Sequence, residues 1–177
     1  MQVVKEPNTP EDWIYEKLGL ICKIIMGQSP KGDTYNKTGT GTPLINGAAD
    51  MGEKHPKPKT WTTKPSKLSK KDDIIIGIRA SLGDINYSDN EYCLGRGVAA
   101  LRSTEKIDKN YLYQYALTLN DKFSNLVAGS TIKGITKPQL ESIMISIPKN
   151  IKEQKQIASI LSNVDDTLQK TNQIIEQ

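Results

Sequence analysis

LESIMISIP (Leu140–Pro148) runs directly into KNIKEQKQIASILSNVDDTLQKTNQIIEQ (Lys149–Gln177), and the two halves obey different periods. In the first, Ile143, Ile145 and Ile147 alternate with polar or intermediate residues, which predicts a half-buried strand over Leu140–Ile147 that Pro148 ends. In the second, Ile157, Leu161, Val164, Leu168 and Ile175 follow at intervals of 4, 3, 4 and 7, with Thr171 in the missing place. That is a heptad seam, and no glycine or proline interrupts Ile151–Gln177. The change of period at Pro148 predicts a mixed α+β body over 1–148 and one long coiled-coil-type helix over 149–177. A helix of this length is marginal alone in water, so its seam needs either the body or another chain.

Working back from Pro148, the body reads as short strands and loops. Leu18–Met26 (LGLICKIIM) is an apolar run ending at Gly27 and Ser29-Pro30, expected to be one buried strand entering a loop. Lys31–Thr42 is too polar to pack and reads as a long surface loop; Pro43–Asn46 reads as a brief strand leaving it. Ile74–Ile78 and Tyr92–Leu101 read as strands, the second bent at Gly95-Arg96-Gly97. Asn110 is placed to cap a helix over Tyr111–Phe123, and Gly129-Ser130-Thr131 to make a turn.

The 177 residues carry 36% apolar side chains, enough for one core, and 24 Lys+Arg against 20 Asp+Glu give a net charge of only +4. The charge is unevenly placed. Met51–Lys71 holds Lys54, Lys57, Lys59, Lys64, Lys67, Lys70 and Lys71 against Glu53, a local +6, with Trp61 among them. Pro56, Pro58 and Pro65 forbid a regular helix there. The polar start has no secretory apolar region, no run is long enough to span a bilayer, and Cys22 and Cys93 sit in apolar segments as reduced core thiols. A cytoplasmic protein without a membrane segment is the expectation.

Catalytic constellations do not emerge. His55 is the one histidine and has no cysteine or paired carboxylate near it, so neither a metal site nor a nucleophilic triad is expected. Gly39-Thr40-Gly41 and Gly95-Arg96-Gly97 lack the third glycine of a dinucleotide loop, and no phosphate-binding Gly-Lys-Ser/Thr loop occurs. Asp72-Asp73 and Asp165-Asp166 read as solvated pairs, since neighbours in a strand or helix do not face one metal. Glu153-Gln154-Lys155 has the Glu-x-Lys spacing of a nuclease but opens the helix with no upstream Pro-Asp.

A loop rich in lysine attracts phosphate through counterion release, and Trp61, Tyr35 and neighbouring amides add groups able to touch sugars and base edges. The alternative is a solvated loop that only keeps the protein in solution. Arg79 and Arg96 read equally as DNA contacts or as structural ion-pair partners.

The order of several motifs resembles that of type I restriction-modification specificity subunits. Leu18-Gly19 followed by Gly27-Gln28-Ser29-Pro30 is similar to the family's opening strand and turn, and Gly41-Thr42-Pro43-Leu44-Ile45-Asn46-Gly47 to its Gly-x-Pro-Ile-Asn segment. Asp72-Asp73-Ile74-Ile75-Ile76, with Arg79 and Gly83, resembles its Gly-Asp-(hydrophobic) strand, although Asp72 stands where glycine is usual. Gly95-Arg96-Gly97-Val98-Ala99-Ala100-Leu101 and Tyr111-Leu112-Tyr113 follow in order. Gly129–Thr136, Leu140, Ile147-Pro148, Glu153-Gln154, Ile157-Ala158, Ile160-Leu161 and Asp165 then resemble the passage from recognition domain to spacer helix.

The resemblance implies a non-catalytic target-recognition domain with one spacer helix, half of the usual two-domain subunit. Double-stranded DNA is the implied ligand, met by the loops at 28–46, 54–67 and 79–90. Lys54, Lys57, Lys59, Lys64, Lys67 and Lys133 are expected on phosphates, and Gln28, Asn36, Asn46 and Asn86 on base edges. Ser29, Tyr35, Trp61, Arg79 and Arg96 complete the set. The implied protein partners are an adenine methyltransferase subunit, which would bind S-adenosylmethionine in this chain's stead, and a restriction subunit where cleavage accompanies modification. A second copy would pair through Ile157, Leu161, Val164, Leu168 and Ile175. Two other readings stand beside this one: a fragment that binds the methyltransferase without reading DNA, and a nuclease.

Overall fold

The computed structural model describes residues 10–79, 82–119, 122–123 and 134–175. It is an α+β body with a long terminal helix. It contains two four-stranded sheets, and the inner pair of the first, β6 (Ile74–Gly77) and β9 (Val98–Arg102), points its residues alternately into two cores.

 Ile74, Ile76, Ala99 and Leu101 all lie in the larger core, while Ile75, Val98 and Ala100 lie in the smaller one. Burial on both faces is why these strands read as unbroken apolar runs.

In the first sheet the order is β2 (Lys23–Met26), β9, β6 and β7 (Ile85–Tyr87), all antiparallel. The second sheet is ordered β3 (Tyr35–Asn36), β5 (Thr60–Thr62), β4 (Thr42–Ile45) and β8 (Cys93–Leu94), with β4 and β8 parallel. Tyr92–Leu101, expected as one bent strand, is therefore two: the turn Gly95–Gly97 sends β8 into one sheet and β9 into the other. Lys31–Thr42 is also more ordered than its polarity suggested. It holds a 3-10 turn, Gly32–Thr34, and β3, because the buried Thr34 hydroxyl meets that of Thr62 at 2.7 Å.

Leu18–Met26 is not one strand either. Leu18–Ile21 forms a single helical turn, α1, before β2 begins. Leu18 and Ile21, three apart, are buried while Leu20 is 56% exposed, a helical rather than alternating pattern. Gly19 permits this turn to lie against the short helix Lys137–Ser142, since a Cβ there would sit 2.8 Å from Glu141 Cβ.

α2 (Lys109–Leu117) is capped by Asp108, not Asn110: its carboxylate accepts from the backbone N–H groups of Asn110 and Tyr111 at 2.9 and 3.2 Å. The strand expected from Leu140 starts later. Lys137–Ser142 is a short helix, α3, opened by a Thr136–Gln139 capping box, and β10 (Met144–Pro148) follows it. β10 pairs antiparallel with β1 (Trp13–Lys17). The turn expected at Gly129–Thr131 lies outside the described residues. α4 (Ile151–Ile175) is the helix that the heptad pattern predicted.

Asp72-Asp73 is a structural corner rather than a solvated pair. Asp73, 2% exposed, takes both Arg102 nitrogens at 2.8 and 2.7 Å and the Lys70 N–H at 2.7 Å. Asp72 turns the chain with φ 73°, a left-handed conformation that favours glycine, the residue usual at this place in the motif. Its carboxylate accepts from Lys109 Nζ at 2.7 Å and the Tyr87 hydroxyl at 2.9 Å. The Lys109 hydrogen bond, foremost, holds the Asp72 carboxyl below the usual carboxylate range. Its stabilisation is therefore present at neutral pH and lost as pH falls through the folded-state value. Asp72→Asn is expected to flatten the acid side of the stability profile by a fraction of a kcal/mol, measured by urea unfolding at stepped pH. An unchanged acid slope would show that the pair contributes nothing.

Cys22 and Cys93 are buried and unpaired, and burial pushes the Cys22 thiol up to about 12. No helix among the described residues is long and apolar enough to cross a membrane.

Candidate nucleic-acid interface

Three chain segments meet where β2, β4 and the β8–β9 turn end. Gly27 N–H donates to the Val98 carbonyl at 3.0 Å, Gly95 N–H to that of Ile45 at 2.8 Å, and Ile78 N–H to that of Gly97 at 3.0 Å. Such an approach leaves no room for side chains: a Cβ on Gly97 would lie 2.1 Å from the Asn46 carbonyl oxygen, and one on Gly27 2.1 Å from that of Gly95. The Arg96 N–H is held in turn by Ser29 Oγ at 3.2 Å.

This junction carries a cleft of 530 Å³ lined by Ser29, Tyr35, Asn46, Gly47, Ala48, Arg79, Arg96 and Gly97. Five of these are residues that the sequence proposed for DNA contact. Arg79 follows the buried end of β6, and Arg96 stands at the tip of the glycine turn; both are exposed. Neither forms an ion pair with a carboxylate among the described residues. No acidic side chain lines the cleft. Two guanidiniums on rigid backbone, beside an amide, a hydroxyl and a phenol, suit a polyanion with hydrogen-bonding edges.

The type I restriction modification DNA specificity domain model matches residues 10–177. The chain belongs to this family. Among its relatives, a protein named as the specificity subunit of the MjaX type I restriction enzyme of Methanocaldococcus jannaschii is 42% identical over 163 residues, 90% of this chain and 38% of that one. The HsdS subunit from Thermoanaerobacter tengcongensis superposes with a TM-score of 0.83 at 33% identity, covering 97% of this chain and 42% of that one. A chain solved in a study of the assembly and conformational transition of the type I R-M system gives 0.86 at 34% identity, with 95% and 42% covered. The specificity domain described here thus spans about two fifths of the length of these relatives.

The lysines of the specificity domain divide. Lys57, Lys59, Lys64 and Lys67 are exposed and, among the described residues, form no ion pair. Lys54 turns to the terminal helix instead, 3.6 Å from Asp166. Asp50, which the sequence reading did not single out, braces the basic segment to the cleft. It is 7% exposed, and its carboxylate accepts from Asn46 N–H at 2.8 Å and Lys59 N–H at 3.4 Å. Its carbonyl accepts from Lys57 N–H at 2.8 Å. The clue in the sequence is an acid four residues after Asn46, just ahead of the lysine-rich segment.

Two asparagines expected on base edges are occupied elsewhere. Asn86, 1% exposed, clamps Gly52 with both ends of its amide, at 3.0 and 2.8 Å. Asn36 folds its own loop, accepting from Thr38 and Thr40 N–H and donating to the Thr40 carbonyl. Gln28 is exposed beside the junction, and Trp61 is half-buried on β5 opposite Asn36 and Pro43. Lys133 lies outside the described residues.

At the other end of the body, Gln154 joins the helix to the fold. It is fully buried; its carbonyl oxygen accepts from Asp108 N–H at 2.8 Å, and its amide donates to the carbonyls of Pro148 and Lys106 at 2.8 and 3.1 Å. Glu153 accepts from the Trp13 indole at 3.1 Å. Ala158 is buried in the body core and Ile157 packs against it, whereas Leu161, Val164 and Leu168 remain exposed. Ile175 lies in the helix as its last residue. The described residues contain no cluster of three or more His, Cys, Asp or Glu able to hold a metal ion.

Proposed function

We propose that this specificity domain docks on double-stranded DNA through the Arg79–Arg96 cleft and the lysines at 57–67. It reads one half of a bipartite target and directs a partner adenine methyltransferase to it without catalysing a step itself. The methyltransferase would bind S-adenosylmethionine, a restriction subunit would join where cleavage accompanies modification, and a second copy would supply the other half-site. The observation that carries this reading is the convergence of two arginines, unpaired among the described residues, on a cleft without acids, braced through Asp50 to an exposed basic segment. Phosphate contacts made by such groups release counterions, so binding should weaken steeply with salt.

Arg79→Ala and Arg96→Ala are each expected to weaken binding about 10-fold or more, measured by fluorescence anisotropy on duplex DNA. A lost phosphate contact also lowers the slope of log affinity against log salt by about 1. Unchanged affinity and slope in both variants would overturn the assignment of the cleft. The wider reading is tested by co-expression with the methyltransferase subunit of the same system and mapping of methylated adenines. Two identical inverted halves support it. A stable complex without methylation would favour a partner-binding fragment, and metal-dependent DNA cutting by the isolated chain would overturn the non-catalytic role.

A further inference from the structure

We infer that Gly134 is a positioning residue for the DNA contact of Arg79: with Ile135 it forms the wall that holds the arginine's stem at the cleft. This rests on the cleft reading above and adds what aims one of its two guanidiniums. The wall and the arginine lie far apart in sequence, and residues 134–136 otherwise serve only as the passage toward α3.

Arg79 and Arg96 are both exposed at the cleft, but they are fixed by different means. Arg96 is fixed through its backbone N–H, on Ser29 Oγ. Arg79 follows Ile78, whose N–H donates to the Gly97 carbonyl at 3.0 Å and whose own carbonyl accepts from Ile135 N–H at 2.8 Å. The Arg79 carbonyl accepts from Leu82 N–H at 3.1 Å, so the backbone is pinned on both sides of the residue. The Ile135–Ile78 bond lays residue 134 across the arginine itself. A Cβ on Gly134 would lie 2.8 Å from the Ile78 carbonyl oxygen, 3.0 Å from Arg79 Cγ and 3.8 Å from Arg79 Cα. The glycine therefore lies directly against the stem. Its φ of 143°, which L side chains rarely adopt, lets the chain pass there.

Contact with a backbone wall confines the stem at Cγ. An arginine already confined loses less rotamer freedom when it meets a phosphate, and its planar fork is offered from one direction. The wall is itself firm. Ile135 is 4% exposed in the larger core, and the Thr136–Gln139 capping box that follows opens α3. A side chain at 134 would have to displace either the Ile78 carbonyl, which holds the wall in place, or the Arg79 stem. The stem can rotate and the pinned carbonyl cannot, so the guanidinium is what leaves its position. If Gly134 served only to let the chain turn, the effect of filling it would be the same whichever residue stood at 79.

Gly134→Ala, Arg79→Ala and the double variant of the full chain test this, by anisotropy titrations on duplex DNA and by urea unfolding. Alanine at 134 meets the Ile78 carbonyl in either background, so its cost in stability should be the same with or without Arg79. Its cost in affinity should not be. With Arg79 present, binding should weaken about 10-fold and the slope of log affinity against log salt should fall by up to about 1. With alanine already at 79, Gly134→Ala should cost no further affinity. An equal loss of affinity in both backgrounds, or none in either, would overturn the inference. Unchanged binding in Arg79→Ala would overturn the cleft reading, and the inference with it. A second measurement needs no variant to fold. The chain has three arginines, and Arg102 is locked on Asp73 through two nitrogens at 2.8 and 2.7 Å. NMR relaxation of the Nε–H groups in the wild-type chain should place Arg79 nearer to Arg102 in order than to Arg96. An Arg79 as mobile as Arg96 would show that no wall holds it.

Discussion

Gln154→Leu is expected to lower the stability of the fold by about 3 kcal/mol or more and to loosen the terminal helix from the body. The amide is fully buried and satisfies one N–H and two carbonyls from three different segments: Asp108 at the start of α2, Lys106 before it, and Pro148 at the end of β10. Leucine fills the space and leaves all three backbone groups without a partner, at about 1–3 kcal/mol each. Urea unfolding would register the loss as a lower midpoint, and hydrogen exchange would show the first turns of α4 opening. Gln154→Glu separates packing from polarity. Its carboxylate can still accept from Asp108 N–H but faces two carbonyl oxygens, so burial among acceptors raises its pKa. That variant should be least unstable in acid, where the carboxyl can donate, and should lose stability as pH rises through the raised value. A wild-type midpoint for Gln154→Leu would show that the joint is held elsewhere.

Gln154 also shows how the sequence could have been read further. The seam Ile157, Leu161, Val164, Leu168 extends one step back, by three residues, to position 154, so a polar residue stands at a core position of the heptad. An amide there implies buried backbone groups to satisfy. The helix itself was plain because its period persists over many turns without glycine or proline. Short elements were less plain. Leu18–Ile21 and Lys137–Ser142 are single turns or little more, and an apolar pair three apart within so few residues cannot be told from a strand without knowing what packs on it. Glu141 against Gly19 supplies that knowledge, and it lies more than a hundred residues away in sequence.

The candidate site divides in the same way. Arg79, Arg96, Asn46, Ser29 and Tyr35 could be picked by type, yet their meeting in one cleft depends on where β2, β4, β6 and the β8–β9 turn end. Asn36 and Asn86 were picked by the same criterion and are committed to loop structure instead. A free amide and a clamped one have the same letter. Only the hydrogen-bond partners distinguish them, and for Asn86 the partner, Gly52, belongs to another loop.

Gly97→Ala is expected to damage the cleft more than removal of any one side chain that lines it. The new Cβ would lie 2.1 Å from the Asn46 carbonyl oxygen and 3.2 Å from its carbonyl carbon, and the clash is with backbone, which cannot rotate away. Either the end of β4 shifts, carrying Asn46 and Asp50 with it, or the β8–β9 turn shifts, carrying Arg96. Overpacking of this kind costs about 1–3 kcal/mol where the chain can yield. Here both sides are pinned, by the Gly95–Ile45 and Ile78–Gly97 hydrogen bonds, so the cost should fall at the upper end. DNA affinity should drop by more than in Arg96→Ala, because the displacement misplaces several contacts at once. Gly32→Ala provides the control, since no atom lies within 4 Å of the Cβ it would add, and it should leave stability and binding near wild type. Urea unfolding and anisotropy titrations on the three variants decide the matter. If Gly97→Ala folds normally and binds no worse than Arg96→Ala, the junction is not what holds the cleft in shape. If it folds with reduced stability and loses binding beyond Arg96→Ala, the affinity depends on where the glycine turn holds the arginine as well as on its charge.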